Sequence, residues 1–287
     1  MTSQTSATGP AVPAPHQIML AVAPNGGRHT RQDHPNLPLT PAALAAAAAE
    51  CLEAGANLLH VHVRDHQGRH TLDAAAYHKA FTAIRHEVGD GLVLQTTTEA
   101  IGQYTAPQQM EAVRALRPGA VSLAVAELFS GAASEHEVAT FLAELALDQV
   151  LVQYILYSAD DQRHLQALVQ REIVPLPFWT LYVLGRYGQP RLSTPQDLLA
   201  FPPFSGPVTA PWAVCAFGPG ELRCALAAVA FGGHVRIGFE NNFQTPNGQT
   251  ATSNAAQVRQ LVAALGTLGA VPMSAAQLRA TWQQPQG

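Results

Sequence analysis

Leu58-Leu59-His60-Val61-His62-Val63-Arg64-Asp65 alternates apolar residues with His60, His62 and Arg64. Side chains on a strand repeat every second residue, so a β-strand here turns both histidines and Arg64 to one face. The histidines then stand about 7 Å apart along the strand and can close on a single divalent metal. Imidazole suits zinc, copper, iron and nickel alike, so the pair leaves the ion open and needs a third ligand from elsewhere. One histidine in a strand is usually a hydrogen-bonded core residue, whereas two at i and i+2 before an arginine favour a ligand pair.

The same strand sits inside a repeating pattern. Before it, residues 17–23 form an apolar run of strand length, ended by the turn residues Pro24-Asn25-Gly26-Gly27. Thr40-Pro41 then supplies an N-cap and a proline at the first helical position, and an alanine-rich helix runs to Glu53 and closes at Gly55. After it, Asp73 caps a helix reaching residue 88, and strands are expected at 91–95, 120–125, 149–155, 177–183, 211–216 and 234–239. Helices at 107–116, 134–147, 160–171, 195–201, 221–231 and 254–265 alternate with them. Eight strand-helix units within about 250 residues are the count and size of a (β/α)8 TIM barrel. An open doubly wound sheet also alternates, but the glycine-rich dinucleotide fingerprint is missing after the first strand.

Composition agrees with one enzyme-sized globular domain. Of 287 residues 47% are hydrophobic and 13% charged, enough to bury a large core. A net charge of -4 without a basic run argues against nucleic acid. No apolar run is long enough to span a membrane. Cys51, Cys215 and Cys224 are an odd number in apolar segments without metal-type spacing, read as free buried thiols in a reducing cytoplasm. Residues 1–16, rich in Thr, Ser, Ala and Pro, read as a disordered tail ahead of a barrel domain over 17–287.

Barrel enzymes carry their chemistry where strands end and the following loops begin. Gly232-Gly233-His234-Val235-Arg236-Ile237-Gly238-Phe239-Glu240-Asn241-Asn242 occupies that place on the eighth strand. Regular alternation would put His234, Arg236, Gly238 and Glu240 on one face, making Glu240 the best third ligand. Two histidines and a carboxylate leave coordination positions open, as a catalytic site requires. Arg236 can pair with Glu240 or meet a carboxylate or thioester substrate, and His234 is as readily structural as functional. At the exit of the third strand Thr96, Thr97, Thr98 and Glu99 can hold substrate, as can Arg64, while Glu127 follows the fourth strand. Gly218-Pro219-Gly220 reads as a structural turn, and Tyr154, Tyr157, Trp179 and Tyr182 as packing residues. No serine-histidine-acid pattern stands out.

With these segments in place the chain resembles the β-keto acid cleavage enzymes, typified by 3-keto-5-aminohexanoate cleavage enzyme. The resemblance spans nearly all of residues 17–280. It rests on Asn25-Gly26-Gly27, Leu37-Pro38-Leu39-Thr40-Pro41, Ala54-Gly55-Ala56, His60-Val61-His62-Val63-Arg64-Asp65 and the segment from Gly233 to Asn242. It implies a zinc-dependent barrel, commonly a homotetramer, that converts a β-keto acid and acetyl-CoA into acetoacetate and a new acyl-CoA. It also implies that His60, His62 and Glu240 hold the metal, with Arg236 the strand-eight arginine. Where the family often carries an aspartate with a part in the reaction, this chain has Asn241, so Arg236 and Asn241 are the catalytic candidates. The family's acidic residue in the first loop has no clear match within Asn25 to Arg28; Arg28 and Arg31 of that loop can meet an anionic tail. A metal-dependent hydrolase on the same barrel, which would need further histidines, and a non-catalytic metal-stabilised barrel binding a carboxylate are the competing readings.

Overall fold

The computed structural model describes residues 15–188, 192–201 and 210–284. Eight parallel strands close into a barrel: β1 (Leu20–Val22), β2 (Leu58–Val61), β3 (Val93–Thr96), β4 (Ala120–Ala124), β5 (Leu151–Leu156), β6 (Trp179–Leu184), β7 (Trp212–Ala216) and β8 (His234–Ile237). They lie side by side in chain order, and β8 pairs with β1 through Arg236 opposite Ala21. Around them run α1 (Pro41–Ala54), α2 (Ala74–Val88), α3 (Ala106–Leu116), α4 (Glu135–Leu147), α5 (Ala159–Gln170), α6 (Glu221–Ala230) and α7 (Asn254–Leu265). The strand-helix alternation expected from the sequence is the architecture observed.

Local chemistry explains the boundaries. Thr40 accepts the Ala43 amide at 3.2 Å to open α1, and Gly55, left-handed at φ 110°, closes it. Outward strand residues such as Val22, Leu59, Val61 and Leu94 pack with the inner faces of α1 and α2. The inward residues Ala21, Leu58, Leu181 and Ala213 fill the barrel interior.

Five details differ from the sequence-based expectations. The first strand is split: His16–Ile18 pairs outside the barrel with Ala270–Pro272, and only Leu20–Val22 joins the closed sheet. Residues 1–14 of the expected tail lie outside the described residues, while His16 belongs to that small sheet. The second strand stops at Val61, because Val63–Arg64 leaves the barrel to form an antiparallel pair with His70–Thr71. Between β6 and β7 the helix is a 3-10 turn, Pro195–Ala200. A last helix, α8 (Ala275–Trp282), which the alternation did not foretell, seals the end of the barrel where the strands begin. There Trp282 stacks on Trp179 at 4.9 Å and its indole N–H donates to the Val152 carbonyl.

Candidate metal centre and active site

The strand carbonyl ends surround a cavity of about 380 Å³ whose lining includes His60, His62, Arg236 and Glu240. His60 is an inward residue of β2, opposite Gln95 on β3. Its Nδ1 lies 2.9 Å from Gln95 Oε1, and Gln95 in turn donates through Nε2 to Gln153 Oε1 at 3.2 Å. With the amide oxygen of Gln95 facing the imidazole, Nδ1 carries the proton and Nε2 keeps its lone pair. Burial pushes His60 down to about 3, against the pull of Glu240, so the ring is neutral and free to ligate.

His62 stands in the break after β2. Its backbone N–H donates to Asn25 Oδ1, and Asn25 Nδ2 donates back to the His62 carbonyl at 2.9 Å. This brings His62 Nε2 within 3.2 Å of His60 Nε2.

Glu240 arrives by a different route from strand alternation. β8 ends at Ile237, and the amides of Asn241 and Asn242 fold back to the Gly238 carbonyl at 2.9 and 3.0 Å, so residues 238–242 form a turn. The expected ligand is at the site, but the turn carries it there. Glu240 Oε2 lies 3.0 Å from His62 Nε2 and 3.7 Å from His60 Nε2. Its neighbour Gly26, left-handed at φ 61°, permits the approach: a β-carbon there would stand 2.7 Å from Glu240 Cγ.

Arg236 reaches Glu240 Oε1 at 2.9 Å, Asn241 Oδ1 at 3.2 Å and Cys215 Sγ at 3.3 Å, all through one terminal nitrogen. Burial opposes a charge on Glu240, yet Arg236 and then the two histidines hold its carboxyl well below the usual carboxylate range. The Cys215 thiol is pushed up to about 11 by burial and stays neutral, so Glu240 is the charge that pairs with Arg236.

A divalent metal fits this set. The three ligand atoms lie within 4.8 Å of one another, all three residues are buried, and Glu240 Oε2 has no hydrogen-bond partner although it is shut away from solvent. Two imidazole nitrogens and one carboxylate oxygen suit several divalent ions. Because Oε1 is held by Arg236, Oε2 is the oxygen left to the metal.

The other expected site residues divide. Thr97, Thr98 and Glu99 line the cavity. Thr96 and Arg64 do not: Arg64 donates to the carbonyls of Gly26 and His29 and so pins the first loop. Thr96 hydrogen-bonds the Thr97 carbonyl. Asn241 touches Arg236 without lining the cavity. His234 lies where β8 begins, stacked on Trp179 at 4.5 Å and accepting the Met19 amide, so it offers nothing to the metal end. Burial drives it down to about 3. Of the tyrosines read as packing, Tyr157 lines the cavity.

Sequence reasoning passed over Gln95, His70 and Tyr187. Gln95 was recoverable as the inward polar residue at the end of an apolar strand. Tyr187, whose hydroxyl donates to the Glu240 carbonyl at 2.8 Å, carries no such signal. His70 packs against His62 with ring centroids 5.4 Å apart, and burial pushes it down to about 3.

Comparison with known proteins places the chain among relatives. Over 258 residues the chain is 26% identical to a 3-keto-5-aminohexanoate cleavage enzyme of Fusobacterium nucleatum, covering 88% of this chain and 93% of the relative. It is likewise 26% identical to a 3,5-dioxohexanoate:acetyl-CoA acetone transferase of Paraburkholderia graminis, over 85% of this chain and 88% of that one. Among solved structures, the binary complex of ObcA with oxaloacetate shares the fold with a TM-score of 0.66 at 14% identity, covering 86% of this chain and 67% of ObcA. Residues 17–283 match the beta-keto acid cleavage enzyme family. That match runs through all eight barrel strands and both segments that bear the metal-type ligands, and the chain belongs to this family of enzymes.

Proposed function

We propose that the protein is a zinc-dependent acyltransferase that takes a β-keto acid and acetyl-CoA to acetoacetate and an acyl-CoA. The acetyl group joins the carbon beside the substrate carboxylate, and the displaced acyl group passes to the CoA sulfur. The observation that carries this reading is the convergence of His60, His62 and the unpartnered Glu240 Oε2 on the floor of the cavity of a family member.

A zinc ion held by those three residues would supply Lewis acidity, polarising a carbonyl oxygen and offsetting the negative charge that develops as the carbon-carbon bond breaks. Arg236 is the chain's own electrostatic group. Its Nε and second terminal nitrogen are buried without protein partners, and the cavity lies beside it, so it can donate to an oxygen on which charge builds. Asn241 holds Arg236 in place; as an amide it cannot take up a proton as a carboxylate does. Thr98, Glu99 and the Thr97 between Thr96 and Thr98 border the space for substrate, and Arg64 acts on it through the loop it pins. The cavity is about 380 Å³, at the small end of ligand pockets, which suits the keto acid and the acyl end of the thioester. Family resemblance supports a homotetramer, the free buried cysteines support a reducing cytoplasm, and among the described residues no helix is long and apolar enough to cross a membrane.

The test is incubation with acetyl-CoA and a panel of β-keto acids, followed for acetoacetate and acyl-CoA. His60→Ala is expected to lose both metal and turnover while keeping its far-ultraviolet circular dichroism. Full activity in a metal-free preparation would reject the reading, and hydrolysis independent of CoA would favour a hydrolase instead.

A further inference from the structure

The two metal-ligating histidines are oriented unequally. His60 has an orienting partner in direct contact, Gln95, whereas His62 Nδ1 is buried without one. The same buried spot holds two more polar atoms without partners, His70 Nδ1 and Glu99 Oε2. All three converge where residue 27 has no side chain: a β-carbon on Gly27 would lie 2.8 Å from Glu99 Oε2, 3.3 Å from His70 Nδ1 and 3.4 Å from His62 Nδ1. His62 Nδ1 and Glu99 Oε2 are 3.7 Å apart.

The donor and acceptor count of this spot is decisive. His70 donates through Nε2 to the Glu99 carbonyl at 2.9 Å, which leaves its Nδ1 a lone pair. Glu99 Oε2 is an acceptor as well. His62, with Nε2 turned to the metal, has its proton on Nδ1 and is the one donor facing two acceptors. Glu99 is itself well held: its amide donates to Thr97 Oγ1 at 3.0 Å, its carbonyl takes His70, and its Oε1 lies 3.7 Å from Arg28 Nε.

We propose that Glu99 is the positioning residue of His62, its Oε2 standing 3.7 Å away as the acceptor that the Nδ1 proton faces within a site shared with His70, so that Nε2 is committed to the metal. The inference rests on the reading of His60, His62 and Glu240 as a metal site. It gives the carboxylate two faces, Oε1 toward Arg28 and the cavity mouth, Oε2 toward the ligand.

The experiment measures zinc affinity of the full-length protein by competition with a chromophoric chelator, with no substrate present. Glu99→Ala is expected to bind zinc about 10- to 100-fold more weakly, the usual cost of removing an outer partner of a ligand. Glu99→Gln, whose amide oxygen still accepts from Nδ1–H, is expected to recover affinity to within a few-fold of wild type, and neither variant should change the melting temperature of the metal-free protein. Wild-type affinity in Glu99→Ala overturns the proposal, as does Glu99→Gln binding as weakly as Glu99→Ala. Failure of the wild-type protein to bind zinc would instead defeat the metal reading itself, so the two failures are told apart.

Discussion

Arg236 meets Glu240, Asn241 and Cys215 through one nitrogen and leaves the rest of its planar fork to the cavity. Lysine would keep the charge but lose that shape, since its ammonium is a compact point donor on a flexible stem. Arg236→Lys is therefore expected to retain the proposed metal, because His60, His62 and Glu240 are untouched, while kcat falls about 100- to 1000-fold, the scale of losing one preorganised donor to a developing oxyanion. Turnover measured beside metal content by atomic absorption checks this, and a kcat within tenfold of wild type would remove Arg236 from the chemistry. The residue types of the site were legible in the sequence because each is a conspicuous polar residue in or just after an apolar strand. What His62 Nδ1 faces was not legible: it depends on Gly27, His70 and Glu99 meeting in space from three separate segments of the chain.

At the scale of elements, the exit of β8 is tied to the start of α6. Glu221, in the first turn of that helix, accepts the Gly238 amide at 3.0 Å and Asn242 Nδ2 at 3.1 Å, bracketing the turn that carries Glu240. Burial pushes the Glu221 carboxyl from its ordinary 4.5 up to about 8, so the folded state holds a proton that the unfolded chain has released. The native form binds more protons between those values, and stability falls as pH rises from about 4.5 to about 8, by about 1.4 kcal/mol for each pH unit from this group. Glu221→Gln, neutral throughout, is expected to flatten that slope; urea midpoints at pH 5 and pH 7.5 for both proteins measure it, and parallel pH dependences would contradict it. The turn also explains why strand periodicity led to Glu240 for an incomplete reason. Alternation counted onward through Gly238, but hydrogen bonds back to the Gly238 carbonyl replace the strand there, and nothing local in Phe239-Glu240-Asn241 announces them.

For the whole molecule, the barrel could be read from sequence because each strand is bounded by its own glycine, proline or capping residue, and those signals act over a few residues. The closure at its base could not be, because α8 has a role only once β5 and β6 are assembled above it. Trp282 is 1% exposed, stacked on Trp179 and bonded to Val152. Trp282→Ala is expected to cost about 3–5 kcal/mol of folding stability, as large-to-small core changes do, while the proposed metal site at the opposite end stays intact; a denaturant midpoint equal to wild type would show the seal to be dispensable. The pairing of His60 with Gln95 across β2 and β3 carries a further consequence. A slip of one residue between these strands would turn Gln95 toward the helices and bring Leu94 or Thr96 inward, so only the native register gives His60 its orienting partner. An ion that prefers the oriented imidazole therefore selects among strand alignments as well as among ligands. Metal occupancy would then act as a proofreading term in assembly, adding free energy to the correctly registered barrel and withholding it from its near neighbours.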